Sequence, residues 1–459
     1  AALIRNKLTE FPDIDYDLRE MRDRQRFRLG AFDIDPLAVT HSIPHAVALA
    51  MRTPVGVVVH TGDFKIDPDP LDGRLTDIPG LRAYGEEGVA VLLSDSTNSE
   101  KSGHTWSERD VEGTLREIIE RAPYRVFLTT FASHIDRIQA VLDGAMHAGR
   151  RVIPLGRSMQ ANIGMALEMG LLRASPSILA EASEFPSLPR NKVVVLAAGS
   201  QGEPMSSMTR LAEARLTPVA VEPGDQVIFS SRRIPGNERA IGQMMNNLVR
   251  LGAEVITDHA ARVHSSGHGF NEEQLQMLSL CRPRAFVPLH GEYRHMVRHA
   301  ALAAEAGVHP DRIFVTEDGF PLEVTRIDGD LMVERLPKVQ AGLVFVDGKG
   351  IGDVGEVVLR DRRILSESGI IVCVVIMSSD GRVVAGPELA TRGVVYVDES
   401  LELLHRAAES VREALDNAAH AIELETYMEE VRLALRRFFR RELDRKPLIV
   451  PMVIKLPGG

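Results

Sequence analysis

The sequence of 459 residues has few cysteines and no long apolar run. Cys281 and Cys373 lie far apart, so they cannot form a disulfide framework or a CxxC metal knuckle, and a reducing, cytoplasmic location is expected. Any bound metal must therefore be held by histidine and carboxylate side chains. The apolar run 370–377 is too short to span a membrane, so no membrane association is expected.

Two nucleotide-binding signatures are also missing from the sequence. It contains neither a GxxxxGK[ST] P-loop nor a GxGxxG motif opening a helix, which disfavours nucleotide hydrolysis and dinucleotide chemistry. The formal net charge of −10 argues against non-specific coating of nucleic acid, although a local basic groove stays open. A hydrophobic content of 44% and a charged content of 26% are typical of a globular protein.

Helix and strand patterns alternate through the middle of the chain. Helical periodicity begins at the Ser107 N-cap and recurs over 134–148 and 158–172, and the runs RVFLTTF, RVIPLG, KVVVLAAG and QVIFSS predict strands between and after these helices. This alternation predicts a parallel α/β unit. The Gly-rich stretch 342–355 predicts a linker, and beyond it we expect a hairpin with a Ser-Asp-Gly turn, two helices and a final strand.

Chemically capable side chains repeatedly follow apolar runs, where α/β proteins place functional groups. The candidates are His41, Asp63, Asp95, His264, His268 and His290. Imidazole and carboxylate suit Zn²⁺ or Mn²⁺, and one carboxylate can bridge two ions, for which Asp63 is the candidate. A single histidine is more often structural than a ligand, so the grouping predicts either a metal or a phosphate site.

Further segments allow either a structural or a binding interpretation. The loops GRSM (156–159), GSQGEP (199–204) and SSRRIPGNE (230–238) follow strands, where they could cradle a phosphate or simply make turns. Residues 432–446 form an amphipathic pattern with a cationic face. Such a face is usually solvated on a packed helix, and the alternative is contact with a phosphate backbone or an acidic partner.

The ordered set THSIP, HTGDFK, SDSTN, GRSM, GSQGEPMS, SSRRIPGNE, HSSGHG and PLHGEYRH resembles ribonuclease J, a family of metallo-β-lactamase-type nucleases with an inserted β-CASP domain. The resemblance implies an α/β architecture in which an αββα lactamase sandwich (1–107 and 270–340) carries a parallel α/β β-CASP domain (108–269). A linker (341–360) and a small C-terminal α/β domain (361–459) would follow. It also implies endonuclease and 5′-to-3′ exonuclease activity on RNA, a preference for 5′-monophosphate ends, and homodimers or homotetramers formed through the C-terminal domain.

The same resemblance implies roles for individual residues. His41, Asp63 and His290 would be ligands of two divalent ions, Zn²⁺ or Mn²⁺, with Asp63 bridging them. Asp95 would be an acidic residue next to the metal ligands that does not itself bind the metal, and His268 would act near the scissile phosphate. The predicted phosphate-binding residues are His264, Ser266 and Ser133.

The sequence also departs from the family pattern. The metal-binding HxHxDH motif does not occur in these 459 residues, so we expect a segment carrying it to precede residue 1. Without it, a catalytically silent RNA-binding or assembly subunit is an alternative, and a related DNA nuclease is another. His45 and His134 stand where the family commonly has Asp and Asn, and their roles stay open.

Overall fold

A computed structural model describes residues 2–9, 11–175, 177–342, 344, 346–347, 350–351, 355–395, 400–418 and 424–457. They divide into two compact units, Ala1–Gln340 and Ala341–Gly459. The predicted linker 341–360 lies partly outside the described residues. The domain limits drawn from the family resemblance stay predictions.

The helices and strands are as follows. The α-helices are α1 Ala2–Leu8, α2 Ile78–Glu87, α3 Glu108–Arg121, α4 Ile135–His147, α5 Arg157–Glu168, α6 Ser207–Ala212, α7 Glu238–Arg250, α8 Asn271–Cys281, α9 Tyr293–Glu305, α10 Glu356–Ser368, α11 Leu401–Asn417 and α12 Leu424–Leu443. The strands are β1 Phe27–Leu29, β2 Phe32–Ala38, β3 Val47–Thr53, β4 Gly56–His60, β5 Val89–Asp95, β6 Val126–Thr129, β7 Arg151–Leu155, β8 Val193–Ala197, β9 Gln226–Phe229, β10 Glu254–Ile256, β11 Ala285–Leu289, β12 Leu322–Ile327, β13 Asp330–Arg335, β14 Val346–Asp347, β15 Gly350–Ile351, β16 Ile370–Met377, β17 Val383–Arg392 and β18 Leu448–Lys455. Short 3-10 helices cover Ala182–Ser187, Arg190–Lys192 and Pro310–Arg312.

The first sheet of the larger unit has six strands in the order β1-β2-β3-β4-β5-β11. The strands β1 to β4 pair antiparallel, whereas β4, β5 and β11 run parallel. One face packs against helices α2, α8 and α9 through Leu81, Met277 and Leu302. The other face packs against the two-stranded sheet of β12 and β13 through Leu331, which joins Ala285 in a smaller cluster. The mixed α/β fold class is confirmed.

The second sheet of this unit is entirely parallel, in the order β10-β9-β6-β8-β7. Successive residues of a strand point to opposite faces, so Val126 and Leu128 join the cluster with helices α3, α4 and α5, and Phe127 joins the cluster with α6 and α7. The predicted parallel α/β unit is confirmed. Helix α5 ends at Glu168 instead of residue 172, because the chain reverses at Gly170, where φ is +69°.

The smaller unit contains a three-stranded sheet in the order β17-β16-β18, with helices α11 and α12 packed against it. Cys373 lies in the shared core with Val411 and Phe439. The predicted hairpin, helix pair and final strand are confirmed, and Gly381 takes φ +86° in the turn. Both cysteines of the sequence are free and buried.

Helix α12 explains the amphipathic pattern at 432–446. Its apolar side chains Leu435, Phe438 and Phe439 are buried, whereas Arg432 and Arg441 lie outside and pair with neighbouring glutamates of the same helix. The structure therefore supports the interpretation of a solvated face on a packed helix. Within the described residues, no helix combines the length and the apolar character needed to cross a membrane.

Candidate metal centre and phosphate pocket

The first sheet brings five of the predicted site residues to one edge. His41, Asp63 and His290 each follow the end of a strand, and Asp95 is the last residue of β5. The fifth, His268, comes from the loop that leads from β10 into α8. This convergence follows from topology, because β4, β5 and β11 are parallel neighbours and their carboxyl ends meet.

The carboxylate of Asp63 lies between two imidazoles. Its Oδ2 is 3.8 Å from His41 Nε2, and its Oδ1 is 3.9 Å from His290 Nε2. Two groups of potential ligand atoms, those of His41, Asp63 and His268 and those of Asp95, His268 and His290, each lie within 4.8 Å of one another. A carboxylate whose two oxygens face different imidazoles suits a pair of cations, so the donor set fits divalent metal.

Hydrogen bonds fix the outward orientation of both imidazoles. His41 Nδ1 donates to the carbonyl oxygen of Gly267 (2.7 Å), and His290 Nδ1 is 2.7 Å from Thr97 Oγ1. Each contact leaves Nε2 facing Asp63, the arrangement that second partners impose on metal-binding histidines. A Cβ at Gly267 would lie 2.7 Å from the His41 ring, so this position requires glycine. Burial lowers the pKa of His41, which favours the neutral imidazole.

His268 stands between the other two histidines and contacts the buried Asp95. Its Nδ1 is 2.7 Å from Asp95 Oδ2, and its ring centroid is 5.0 Å from that of His41 and 5.2 Å from that of His290. Burial acts to lower the pKa of His268, but the hydrogen bond to Asp95 and the charges of Asp95 and Asp63 together outweigh it, and the pKa is raised. Burial acts to raise the pKa of Asp95, but the hydrogen bond and charge of His268, together with the backbone N–H of Thr97, outweigh it, so that pKa is lowered. The pair favours an imidazolium beside a carboxylate.

Asn98 holds the HSSGHG loop in place. Its Nδ2 donates to Ser266 Oγ and to the carbonyl oxygen of His268, both at 2.9 Å, and its own backbone adopts φ +67°. Ser266 Oγ also accepts from the backbone N–H of His268 (3.1 Å), so its hydroxyl proton is available to a ligand. Sequence reasoning took only Asp95 from the SDSTN motif and missed Thr97 and Asn98.

The predicted phosphate-binding residues His264 and Ser133 differ in burial. Both ring nitrogens of His264 are buried and have no hydrogen-bond partner among the described residues, and burial together with the charge of Arg137 holds its pKa well below the usual range. Ser133 lies on the turn before α4, with its side chain half-buried. His134 caps that helix by accepting from the backbone N–H of Arg137 (3.4 Å). His45 is exposed, with φ +60°.

The fully buried Glu273 joins three chain segments at the site. Its carboxylate accepts from the backbone N–H of Ile66 (2.9 Å), Thr105 (2.8 Å) and Phe270 (2.8 Å), and from Thr105 Oγ1 (2.9 Å). These donors lie just after Asp63, just before α3 and at the end of the HSSGHG loop. The contact with Phe270 is local and belongs to the N-terminal cap of α8, but the local sequence does not indicate the other contacts, because Ile66 and Thr105 are distant along the chain.

A network of buried charges lies beneath the site. Lys65 Nζ is 2.9 Å from Asp67 Oδ2 and 3.7 Å from Glu108 Oε1, and Arg137 Nη2 donates to Glu108 Oε2 (2.6 Å). Glu108 is also 3.5 Å from His134 Nε2. Burial acts to raise the pKa of Glu108, but Arg137, His134 and Lys65 together outweigh it and hold that pKa well below its ordinary value.

Trp106 marks the point where this network meets the HSSGHG loop. Its carbonyl oxygen accepts from Ser265 Oγ (2.5 Å) and from Lys65 Nζ (3.3 Å), and both donors are buried. The indole itself is 45% exposed, and the guanidinium of Arg262 lies 3.8 Å from its ring centroid. The junction therefore has an anchored backbone and an accessible ring.

Comparison with known proteins identifies the class. Three family models match: the ribonuclease J β-CASP domain over residues 123–248, the Zn-dependent metallo-hydrolase RNA specificity domain over 254–313, and the ribonuclease J C-terminal domain over 357–456. The chain is thus a β-CASP metallo-hydrolase. It is 39% identical to ribonuclease J of Thermus thermophilus, with 99% of this chain and 78% of that protein covered. It is 38% identical to ribonuclease J of Mycolicibacterium smegmatis (99% and 80%) and 36% identical to ribonuclease J2 of Bacillus subtilis (99% and 82%). The chain belongs to the ribonuclease J family.

The buried network predicts a pH-dependent loss of stability in Glu108→Gln. The substitution leaves Arg137 and Lys65 without their shared carboxylate, and breaking a buried pair costs about 3–5 kcal/mol. Because the folded-state pKa of Glu108 is lowered, its contribution is complete above the unfolded-state pKa of about 4.3 and is lost as the pH falls through the folded-state pKa. Urea unfolding at a series of pH values should therefore give a wild-type advantage that shrinks on acidification.

The matched control is Glu117→Gln on the same helix, whose exposed pair with Arg121 is worth about 0.5 kcal/mol or less. Equal urea midpoints for the two variants at neutral pH would contradict the role given to Glu108.

Proposed function

We propose that the edge of the first sheet hydrolyses phosphodiester bonds of RNA, both within the strand and from its 5′ end. The observation that carries the proposal is the placement of Asp63, whose two oxygens face His41 and His290 while His268 lies between those imidazoles. Membership of the ribonuclease J family gives the substrate class. Neither the silent-subunit alternative nor a DNA substrate is favoured by any observation.

His41, Asp63 and His290 would hold two divalent cations, for which Zn²⁺ is the first choice and Mn²⁺ the second, because imidazole and carboxylate suit both. When bound, such cations supply an activated water and neutralise charge on the phosphate oxygens. The protein supplies the orientation: Gly267 and Thr97 fix the two imidazoles, so that both Nε2 atoms face the carboxylate without reorganisation.

His268 moves the proton in this proposal. The hydrogen bond from Nδ1 to Asp95 leaves Nε2 as the free nitrogen, and the raised pKa keeps the imidazolium populated closer to neutrality. A protonated Nε2 beside the scissile phosphate would stabilise developing negative charge and donate a proton to the leaving oxygen. Asp95 is a positioning residue here, because it holds the ring and favours the charged form.

We propose further that His264, Ser266 and Ser133 receive the 5′-monophosphate of the RNA. The supporting observations are the Ser266 hydroxyl proton, which has no acceptor among the described residues, and the buried ring of His264, neither nitrogen of which has a partner there. As a neutral imidazole, this ring offers one N–H donor. A buried polar group without a partner is costly unless a ligand completes it. Ser133 is included on the resemblance alone.

For the metal centre, Asp63→Asn in the full-length natural protein should lower RNA cleavage by at least about a hundredfold. Substituting a residue that only hydrogen-bonds a metal ligand typically costs about 10–100-fold, so loss of the bridging ligand itself should cost at least as much. Metal analysis of the purified protein should show reduced Zn or Mn content together with the lost activity. The control is Asp17→Asn, an exposed carboxylate remote from the site, which should cleave as the wild type does. Full activity in Asp63→Asn would refute the assignment.

For the phosphate pocket, His264→Phe keeps the ring volume and removes both nitrogens. Losing one hydrogen bond to a charged group costs about 1.5–3 kcal/mol, so the preference for 5′-monophosphate over 5′-hydroxyl RNA should fall about ten- to a hundredfold in kcat/KM. His147→Phe, on the last turn of α4, is the control and should keep the preference. An unchanged ratio in His264→Phe would remove that residue from the pocket.

We propose a homodimer or homotetramer formed through the smaller unit, in a cytoplasmic protein. Strand β18 alternates buried and exposed side chains; three of the exposed ones, Val450, Met452 and Ile454, are apolar, and the fourth is Lys455 at its end. A row of apolar side chains on an exposed sheet face is typical of an interface. Met452→Lys with Ile454→Lys should lower the mass measured by light scattering to that of one chain, whereas Lys455→Ala should leave the mass unchanged. A wild-type monomer would refute this proposal.

A further inference from the structure

A second polar depression lies beside the site, at the carboxyl ends of strands β8, β9 and β10. It encloses about 220 Å³, including space open to solvent. The polar residues that line it are Ser200, Ser231, Thr257, Arg232, Arg233 and Asp258. In open parallel sheets, the carboxyl ends of the strands are where ligands bind.

The two arginines of this depression lack anionic partners. Neither Arg232 nor Arg233 has a carboxylate within ion-pair distance among the described residues, whereas the buried Arg125 and Arg137 each have one. The one side-chain acceptor for Arg232 is the neutral Oδ1 of Asn98, at 2.5 Å. Burial and the charge of Arg294 lower the pKa of Arg232, and the charge of Arg232 in turn helps to lower the pKa of Lys101. Among the described residues, the positive charge here is therefore offset only at longer range, by Glu292 and Asp258, and by no ion pair.

Hydrogen bonds hold the loop that carries these arginines. Gln201 Nε2 donates to the carbonyl oxygen of Arg232 (2.9 Å) and to Ser200 Oγ (3.2 Å), and its Oε1 accepts from the backbone N–H of Ile234 (2.9 Å). The buried Gln201 thus fixes the 232–234 segment against the loop that follows β8. The depression is therefore preorganised, because these hydrogen bonds fix its backbone in the absence of a ligand.

We propose that this depression binds a backbone phosphate of the RNA strand, one that is distinct from both the scissile phosphate and the 5′-terminal phosphate. Arg232 and Arg233 supply the charge, and the serine and threonine hydroxyls supply hydrogen bonds. The inference rests on the proposed function. A phosphodiester fits better than a free dianion, because Asp258 lines the same depression and a singly charged group tolerates it better.

The position relative to the site supports a strand that continues from it. Arg232 contacts Asn98, and Asn98 contacts both Ser266 and the carbonyl oxygen of His268. A single amide side chain therefore separates the arginine from the loop that carries the proposed catalytic histidine. RNA bound at both places would share one run of phosphates, and affinity for long substrates would exceed that for short ones.

The test compares Arg233→Gln with the wild type, each also carrying Asp63→Asn so that RNA is bound and not cut. The affinity for a long 5′-monophosphorylated single-stranded RNA should fall about tenfold. The dependence of log Kd on log salt should lose about 0.7 of its slope, the value for one phosphate contact on a single strand. The charge-matched control is Arg121→Gln, an exposed residue at the end of α3, which should change neither quantity.

Three outcomes decide between the sources of the anion. A tenfold loss for long RNA, together with the reduced salt slope and no change for a dinucleotide, supports the proposal. Unchanged affinity and slope in Arg233→Gln overturn it. Loss of binding of inorganic phosphate or a free mononucleotide, with long RNA bound as before, overturns the RNA assignment as well. Cleavage by the protein with intact Asp63 is assayed separately, so a failure of the proposed function is seen independently of this result.

Discussion

The arrangement of the site depends on one buried carboxylate. Glu273 accepts four hydrogen bonds from three segments of the chain: the turn after Asp63, the approach to α3 and the end of the HSSGHG loop. Charge-assisted hydrogen bonds are about twice as strong as neutral ones, and a buried acceptor leaves its donors no alternative partner. The segments that contain Asp63 and His268 are thus held in place by Glu273, a residue that has no catalytic role in the proposal.

Charge is distributed unevenly in this acidic protein. Beneath the site, the positive charges of Lys65 and Arg137 are compensated by Asp67 and Glu108 at short distances. Along the carboxyl edge of the second sheet, Arg232 and Arg233 have no ion-pair partner within the part of the chain that the structure describes. The buried ion pairs of Lys65 and Arg137 stabilise the fold and would be costly to disturb. Arg232 and Arg233, in contrast, would be stabilised by the proposed RNA phosphate. A net charge of −10 therefore does not describe the surface that meets RNA.

Much of the fold could be predicted from the sequence, and the reason is periodicity. Strands such as KVVVLAAG and the alternation from Ser107 onward indicate their own structure, and parallel strands bring His41, Asp63, Asp95 and His290 to one edge. Most contacts of Asn98, Glu108 and Glu273 could not be predicted, because their partners lie far away in the chain: Glu108 and Arg137 are on different helices, and Asn98 follows a strand of the first sheet whereas the HSSGHG loop follows a strand of the second. Local patterns carry no information about such pairs.

The exposed indole at the junction has an optical consequence. Trp106 is the only tryptophan of the sequence, and its carbonyl oxygen is tied to Lys65 and Ser265 while its ring stacks on the guanidinium of Arg262. Its fluorescence therefore comes from a single place, where the segment entering the second sheet meets the loop of His268. Any displacement of one sheet relative to the other would change the polarity around this ring, so the protein contains its own spectroscopic probe of that movement.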